Sequence, residues 1–128
     1  MVSEVTYERR KLPATRNSIA HRAVIGDRKV YIIVGLFEDG SPGELFIKVN
    51  NEDDQGWCNS IAILVSIILQ ADVPLKTICK HLSYQHFDPS GWTQNEDIGY
   101  AKSVVDYIGR WLLLMFGEKE TEPKEKGT

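Results

Sequence analysis

Two patterns divide the chain. Through about residue 50 the apolar positions come in short strand-like runs, and beyond it they come in longer helical ones. Residues 20–25 and 28–37 are two apolar-rich runs joined by Gly26-Asp27, a two-residue connection suited to the tight, twisted turn of a β-hairpin. Tyr31, Ile32, Ile33 and Val34 are aromatic or β-branched without interruption, which predicts a central strand covered on both faces. A second turn (Glu38-Asp39-Gly40-Ser41-Pro42-Gly43) leads into residues 44–49. There Leu45, Ile47 and Val49 share one face and Glu44, Phe46 and Lys48 the other. The expectation is a three-stranded antiparallel meander.

Helices follow. Asp53 or Asp54 can cap a helix running through Trp57 to about Gln70. Residues 61–69 are apolar nearly all round, and such a helix is buried on all sides. In a thin domain with one small sheet, a neighbouring subunit is the natural second cover. Asp72-Val73-Pro74 opens a short helix to about Ser83, with proline where its missing N–H costs little. A loop over 84–94 carries Phe87-Asp88-Pro89-Ser90-Gly91-Trp92-Thr93. Asn95 can cap the last helix, which runs to about Phe116 before Gly117 ends it. The fold class is therefore α+β: a small antiparallel β-meander followed by three α-helices, oligomeric through the helices. Residues 1–17 form a basic arm pinned by Leu12-Pro13, 18–117 the domain, and 118–128 a charged, frayed tail.

Composition narrows the function classes. At 128 residues the chain can bury one core, and 42% hydrophobic with 26% charged residues is ordinary for a globular protein. A net charge of −3 argues against wrapping nucleic acid, although Arg9, Arg10, Lys11, Arg16, Arg22, Arg28 and Lys29 crowd the first part. Cys58 and Cys79 form no C-x-x-C, and three histidines do not complete a metal site, so both cysteines read as small buried apolar residues. No metal or cofactor is expected. The longest apolar run is too short to cross a bilayer, and with free thiols and no signal peptide a cytoplasmic location is expected.

Candidate chemistry lies in three places. Arg10, Arg16 and Arg22, with Arg9, could clamp phosphates, or could simply form a solvated arm. In the loop before the last helix, Phe87 and Trp92 offer π-faces, and Thr93 and Asn95 offer hydrogen bonds at a helix N-terminus that favours anions. The plainer account has Phe87 plugging the core, Pro89 and Gly91 shaping a turn, and Asn95 merely capping. Arg110 could meet a ligand or partner, or could pair with Asp106 in the ladder Lys102, Asp106, Arg110. Catalysis finds no footing: G-x-S-x-G, Walker, H-E-x-x-H and C-x-x-C patterns are all missing, and His86 beside Asp88 has no nucleophile to activate.

Several stretches, in order, resemble a known family. They are Arg10-Lys11-Leu12-Pro13-x-x-Arg16, Lys29-Val30-Tyr31-Ile32-x-Val34, Glu38-Asp39-Gly40-x-Pro42-x-Glu44-x-Phe46-Ile47 and Ser66-x-x-Leu69-Gln70-x-x-Val73-Pro74-Leu75. Then come Phe87-x-Pro89-x-Gly91-x-Thr93-x-Asn95-x-x-Ile98 and Ala101-x-Ser103-x-x-Asp106-Tyr107-Ile108-x-Arg110-x-Leu112. Across roughly residues 9–114 this resembles the TSCPD domain, found at the C-terminal side of vitamin B12-dependent ribonucleotide reductases and as stand-alone proteins. The motif that names the family falls on Lys102-Ser103-Val104-Val105-Asp106, with Val104 in place of its cysteine. The radical and disulfide machinery of the reductases has no counterpart here, so reductase activity is not implied.

The layout is also similar to phage anti-Thoeris proteins of the Tad type, sponges that oligomerise and trap cyclic ADP-ribose signals, some also holding cyclic oligonucleotides. That resemblance implies a non-catalytic binder, dimeric or hexameric, holding its ligand at a subunit interface. Phe87 and Trp92 would stack on the base, Thr93, Asn95 and free amides around Glu96 would hold ribose or phosphate, and Arg110 would neutralise phosphate. Arg10, Arg16 or Arg22 would serve a second anion site. The alternative is a reductase-related accessory or interaction domain that docks on protein or nucleic acid, although the net charge makes nucleic acid the weaker partner. No membrane partner is expected.

Overall fold

Gly26 takes a left-handed backbone (φ +62°), and this lets β1 (Ser18–Ile25) turn back through two residues into β2 (Arg28–Leu36). β2 pairs in turn with β3 (Pro42–Val49), giving an antiparallel sheet in the order β1-β2-β3. The structure is a computed structural model that describes residues 8–121. Beyond the sheet the order is α1 (Glu52–Gln70), α2 (Leu75–Leu82), β4 (Gly91–Trp92), β5 (Tyr100–Ala101) and α3 (Val104–Thr121). The α+β meander-then-helices expectation holds. The parts of the arm and tail over residues 1–7 and 122–128 lie outside the described residues.

The register aligns Ala23, Val30 and Val49 across the sheet, and His21, Ile32 and Ile47 beside them. This face carries the core, packed against Cys58, Ala62, Val65 and Leu69 of α1 and against Tyr107, Ile108, Trp111 and Leu112 of α3. All helices lie on that side. The opposite face, with Tyr31 and Phe46, stays open to solvent, so β2 is covered on one face and not on two. Its unbroken apolar run misleads because the helices have only one broad surface to fill.

Helix boundaries depart from expectation in ways that capping explains. Asn51, not Asp53 or Asp54, caps α1: its side chain accepts from the Asp54 N–H at 3.1 Å. Asp54 is instead engaged by Arg28 Nε at 2.7 Å and Trp57 Nε1 at 3.1 Å. Within one chain α1 is not buried all round, since Ile63 and Leu64 lie on its solvent side. α3 begins at Val104 rather than after Asn95, capped by Ser103 Oγ, which accepts from the Asp106 N–H at 2.9 Å. Gly117 does not end α3, which continues to Thr121. Without a left-handed backbone there, glycine costs a helix only about 1 kcal/mol.

Candidate functional site

One cleft gathers three of the residues singled out above. Four consecutive residues of β1, His21 to Val24, form one wall; Thr93, Gln94 and Asn95 form the other, and Tyr107 the floor, enclosing about 220 Å³. Asn95 is held from several sides. Its Oδ1 accepts from the Asp97 N–H (3.0 Å), and its carbonyl accepts from the amides of Ile98 (3.1 Å) and Gly99 (2.8 Å). It therefore caps a short turn and not a helix, and two amides near Glu96 that might have served an anion are spent on it. Thr93 is fixed by its Oγ1 donating to the Gly99 carbonyl at 2.8 Å.

With Oδ1 committed, Asn95 Nδ2 must face Tyr107, and it donates to the phenol oxygen at 3.1 Å. The phenol oxygen also shares a hydrogen bond with His21 Nε2, 2.7 Å away. Burial lowers the His21 pKa and raises that of Tyr107, which keeps both neutral. The His21 ring also stacks on Trp111, centroids 4.8 Å apart. Side chains alternate along a strand, so Arg22 points to the open face and lends the cleft its backbone. This set can orient a polar group but contains no activated nucleophile. His21 and Tyr107 escaped the sequence reading. A signal existed: His21 shares the core-facing row of Ile19, Ala23 and Ile25, where a polar ring needs a partner.

Phe87, Trp92 and Arg110 do not line this cleft. Phe87 packs edge-on against Trp57 at 5.4 Å, and Trp92, 77% exposed, against Tyr100 at 5.5 Å. Arg110 makes the Asp106 pair that was one of its two expected roles. Nε reaches Asp106 Oδ1 at 3.0 Å and Nη2 reaches Oδ2 at 2.9 Å, while the remaining donors hold the carbonyls of Ile98 (3.1 Å) and Tyr100 (2.6 Å). Asp106, fully buried, also accepts from the amides of Tyr84 (2.6 Å) and Lys102 (2.8 Å). Where the resemblance places the family's motif, then, Ser103 caps a helix and Asp106 ties two loops to Arg110, while Val104 is buried in the core.

The arm arginines already have partners. Arg9 donates to Gln70 Oε1 (2.6 Å), Arg10 pairs with Asp39 (3.1 Å) and Asp72 (3.6 Å) while covering the Phe37 ring, and Arg16 pairs with Glu44 (3.3 Å). Arg10 and Arg16 share a shallow groove separate from the cleft. Arg22 forms no ion pair among the described residues.

A further concavity, about 540 Å³ and almost wholly apolar, runs between α1 and α2, lined by Leu64, Ile68, Val73, Ile78 and Leu82. Cys58 and Cys79 are buried and form no disulfide among the described residues, and burial pushes the Cys58 thiol up to about 12, leaving it unreactive. Among the described residues no group of His, Cys, Asp or Glu could hold a metal ion, and no helix is long and apolar enough to cross a membrane.

A profile of the TSCPD domain matches residues 5–116. Among curated proteins, the chain is similar to a vitamin B12-dependent ribonucleotide reductase of Rhodopirellula baltica, 43% identical over 119 residues that span 90% of this chain and 11% of that protein. It is 37% identical to the enzyme of the same name from Bradyrhizobium diazoefficiens, covering 88% of this chain and 9% of that one. It is 34% identical to that of Streptantibioticus cattleyicolor, covering 94% and 20%. The chain thus spans about a tenth of the length of the first two relatives. No solved structure gives a significant match.

Proposed function

The chain belongs to the TSCPD domain family, and from that premise we propose that it is an accessory or interaction domain of vitamin B12-dependent ribonucleotide reduction, non-catalytic itself. It would dock on a reductase chain through the groove between α1 and α2. That groove carries the reading. Leu64 is 58% exposed and Ile68 37%, yet they sit beside Val73, Ile78 and Leu82 in one concave apolar surface. Contiguous apolar surface of this kind marks binding sites on soluble domains, because leaving it wet wastes about 25 cal/mol per Å². In the named relatives the matching segment is a small part of a much longer chain, so a reductase body is the natural neighbour.

The test is association with a vitamin B12-dependent reductase from which the matching segment has been removed, followed by analytical ultracentrifugation. Binding is expected, with at least a tenfold loss for Leu64→Glu or Ile68→Glu and an unchanged melting temperature. No association, or full association by both variants, would overturn it.

A second reading is supported by the meeting of Thr93, Asn95 and the Arg22 backbone in one cleft. There the protein would sequester a cyclic ADP-ribose-type nucleotide, or a cyclic oligonucleotide, without cleaving it. At about 220 Å³ the cleft is below the ~300–1,000 Å³ usual for small-molecule pockets, so a second subunit would have to close over the ligand. Calorimetry with cyclic ADP-ribose isomers decides it: heat lost in Asn95→Ala supports sequestration, and silence from the wild type removes it. Sedimentation in the same samples reports whether the dimer or hexamer this reading needs is formed.

A further inference from the structure

The sheet has two outer edges, and they are treated differently. In β3 the residues whose backbone points away from β2 are Gly43, Leu45, Ile47 and Val49, and α1 caps them with side chains. Gln70 Nε2 donates to the Gly43 carbonyl (2.9 Å), Ser66 Oγ accepts from the Leu45 N–H (2.8 Å), and Gln55 bonds both the Ile47 carbonyl (2.8 Å) and the Val49 N–H (2.8 Å).

The β1 edge has nothing comparable. The Leu36 N–H donates to the Asn17 carbonyl at 2.9 Å, which fixes the odd residues of β1 as those bonded to β2. Ser18, Ala20, Arg22 and Val24 therefore present N–H and C=O groups outward, and no hydrogen bond to them from beyond the sheet occurs among the described residues. No proline interrupts this row, and no register shift falls within the β1–β2 pairing. Its far end opens into the cleft walled by Thr93, Gln94 and Asn95.

We propose that the β1 edge is a docking site for an extended peptide segment of a partner protein, which joins the sheet as a fourth strand and carries an acidic side chain opposite Arg22. The period-two row of donors and acceptors matches an extended backbone. The charge selects the side chains: Arg22, Tyr31 and Lys48 lie in one cross-strand row on the open face, with Lys29 opposite Val24. The one acid on that face of the sheet, Glu44, sits in β3 and is paired with Arg16. A second copy of β1 suits this edge poorly. Strand β1 contains no acid, and antiparallel self-pairing over its length places two Arg22 side chains opposite or diagonal to each other. The site is distinct from the α1/α2 groove, so its failure leaves the accessory-domain reading standing.

The probe is a random decapeptide display library selected on the full chain. Selected peptides are expected to be β-branched with at least one acid, and to raise amide protection at Ala20, Arg22 and Val24 at least tenfold in hydrogen exchange, with little change at Ala23. Ala20→Pro removes an outward N–H without touching the β1–β2 ladder, and should abolish binding while the protein stays folded. Arg22→Glu should exchange the acidic preference for a basic one, a reversal that a merely structural arginine would not produce. Equal binding by Ala20→Pro, selected peptides with no acidic bias, or Ala20 and Arg22 amides already protected like Ala23 in the free monomer would each overturn the proposal. Protection that follows protein concentration instead of peptide would show a second copy to be the occupant, and would overturn it too.

Discussion

The β3 edge and the β1 edge belong to the same sheet, yet the first is sealed by Gln55, Ser66 and Gln70 of the helix that follows it, while the second faces water and a cleft. Chain order explains the difference. Two residues separate the end of β3 from α1, which folds back along it, so its polar side chains are delivered to that edge. The described part of the arm before β1 runs instead toward the far edge, where residues 9 and 10 are tied to Gln70. Among the described residues, polar backbone is thus closed where the helix next in sequence folds back along it, and left open on the edge that no such helix follows.

The Asp106 cluster is the strongest closed case, and should show the largest effect. Asp106→Ala leaves Arg110 and two loop amides without their carboxylate, and is expected to cost about 3–5 kcal/mol in chemical denaturation. An Asp106→Ala protein as stable as wild type would mean that water readily replaces the carboxylate. Next comes a pair of prolines. Ala23→Pro removes a ladder bond to β2 and should cost about 3 kcal/mol or more, whereas Ala20→Pro should stay within roughly 1 kcal/mol of wild type. Similar losses would erase the distinction between inward and outward residues of β1. On the sealed edge, Ser66→Ala orphans the Leu45 N–H, with an expected cost of about 1–3 kcal/mol and faster exchange of that amide.

The smallest effect is a pH dependence at the cleft. Burial depresses the folded pKa of His21, so the unfolded chain takes up a proton first as pH falls below about 6.5. The His21 contribution is full above that pH and is lost as pH drops toward the lower folded value. The melting temperature of the wild type should fall between pH 7 and pH 5 by more than that of His21→Gln. Equal slopes would mean that His21 titrates as freely in the fold as outside it.

Much of the fold was legible in the residues themselves. Gly26-Asp27 and the 38–43 turn punctuated the meander, and the apolar row Leu45, Ile47, Val49 marked its buried face. Less was legible of the site. Thr93 and Asn95 did come together with Arg22, but Phe87 and Trp92 went to separate aromatic pairs and Arg110 to a buried carboxylate. Residue type tells that an arginine can bind an anion. It does not tell which anion, and Asp106 one helical turn away on the same face is nearer than any ligand.

The amino-acid order alone determined the three-stranded meander, its hairpin turn, the three helices and the family, because these depend on local periodicity, turn chemistry and matched motifs; the short β4–β5 pair was not among them. Only the tertiary structure decided which arginines are spent, that His21 and Tyr107 meet across 86 residues of chain, and which sheet edge stays open. Those outcomes depend on distances between segments remote in sequence, and a local pattern carries no record of such distances.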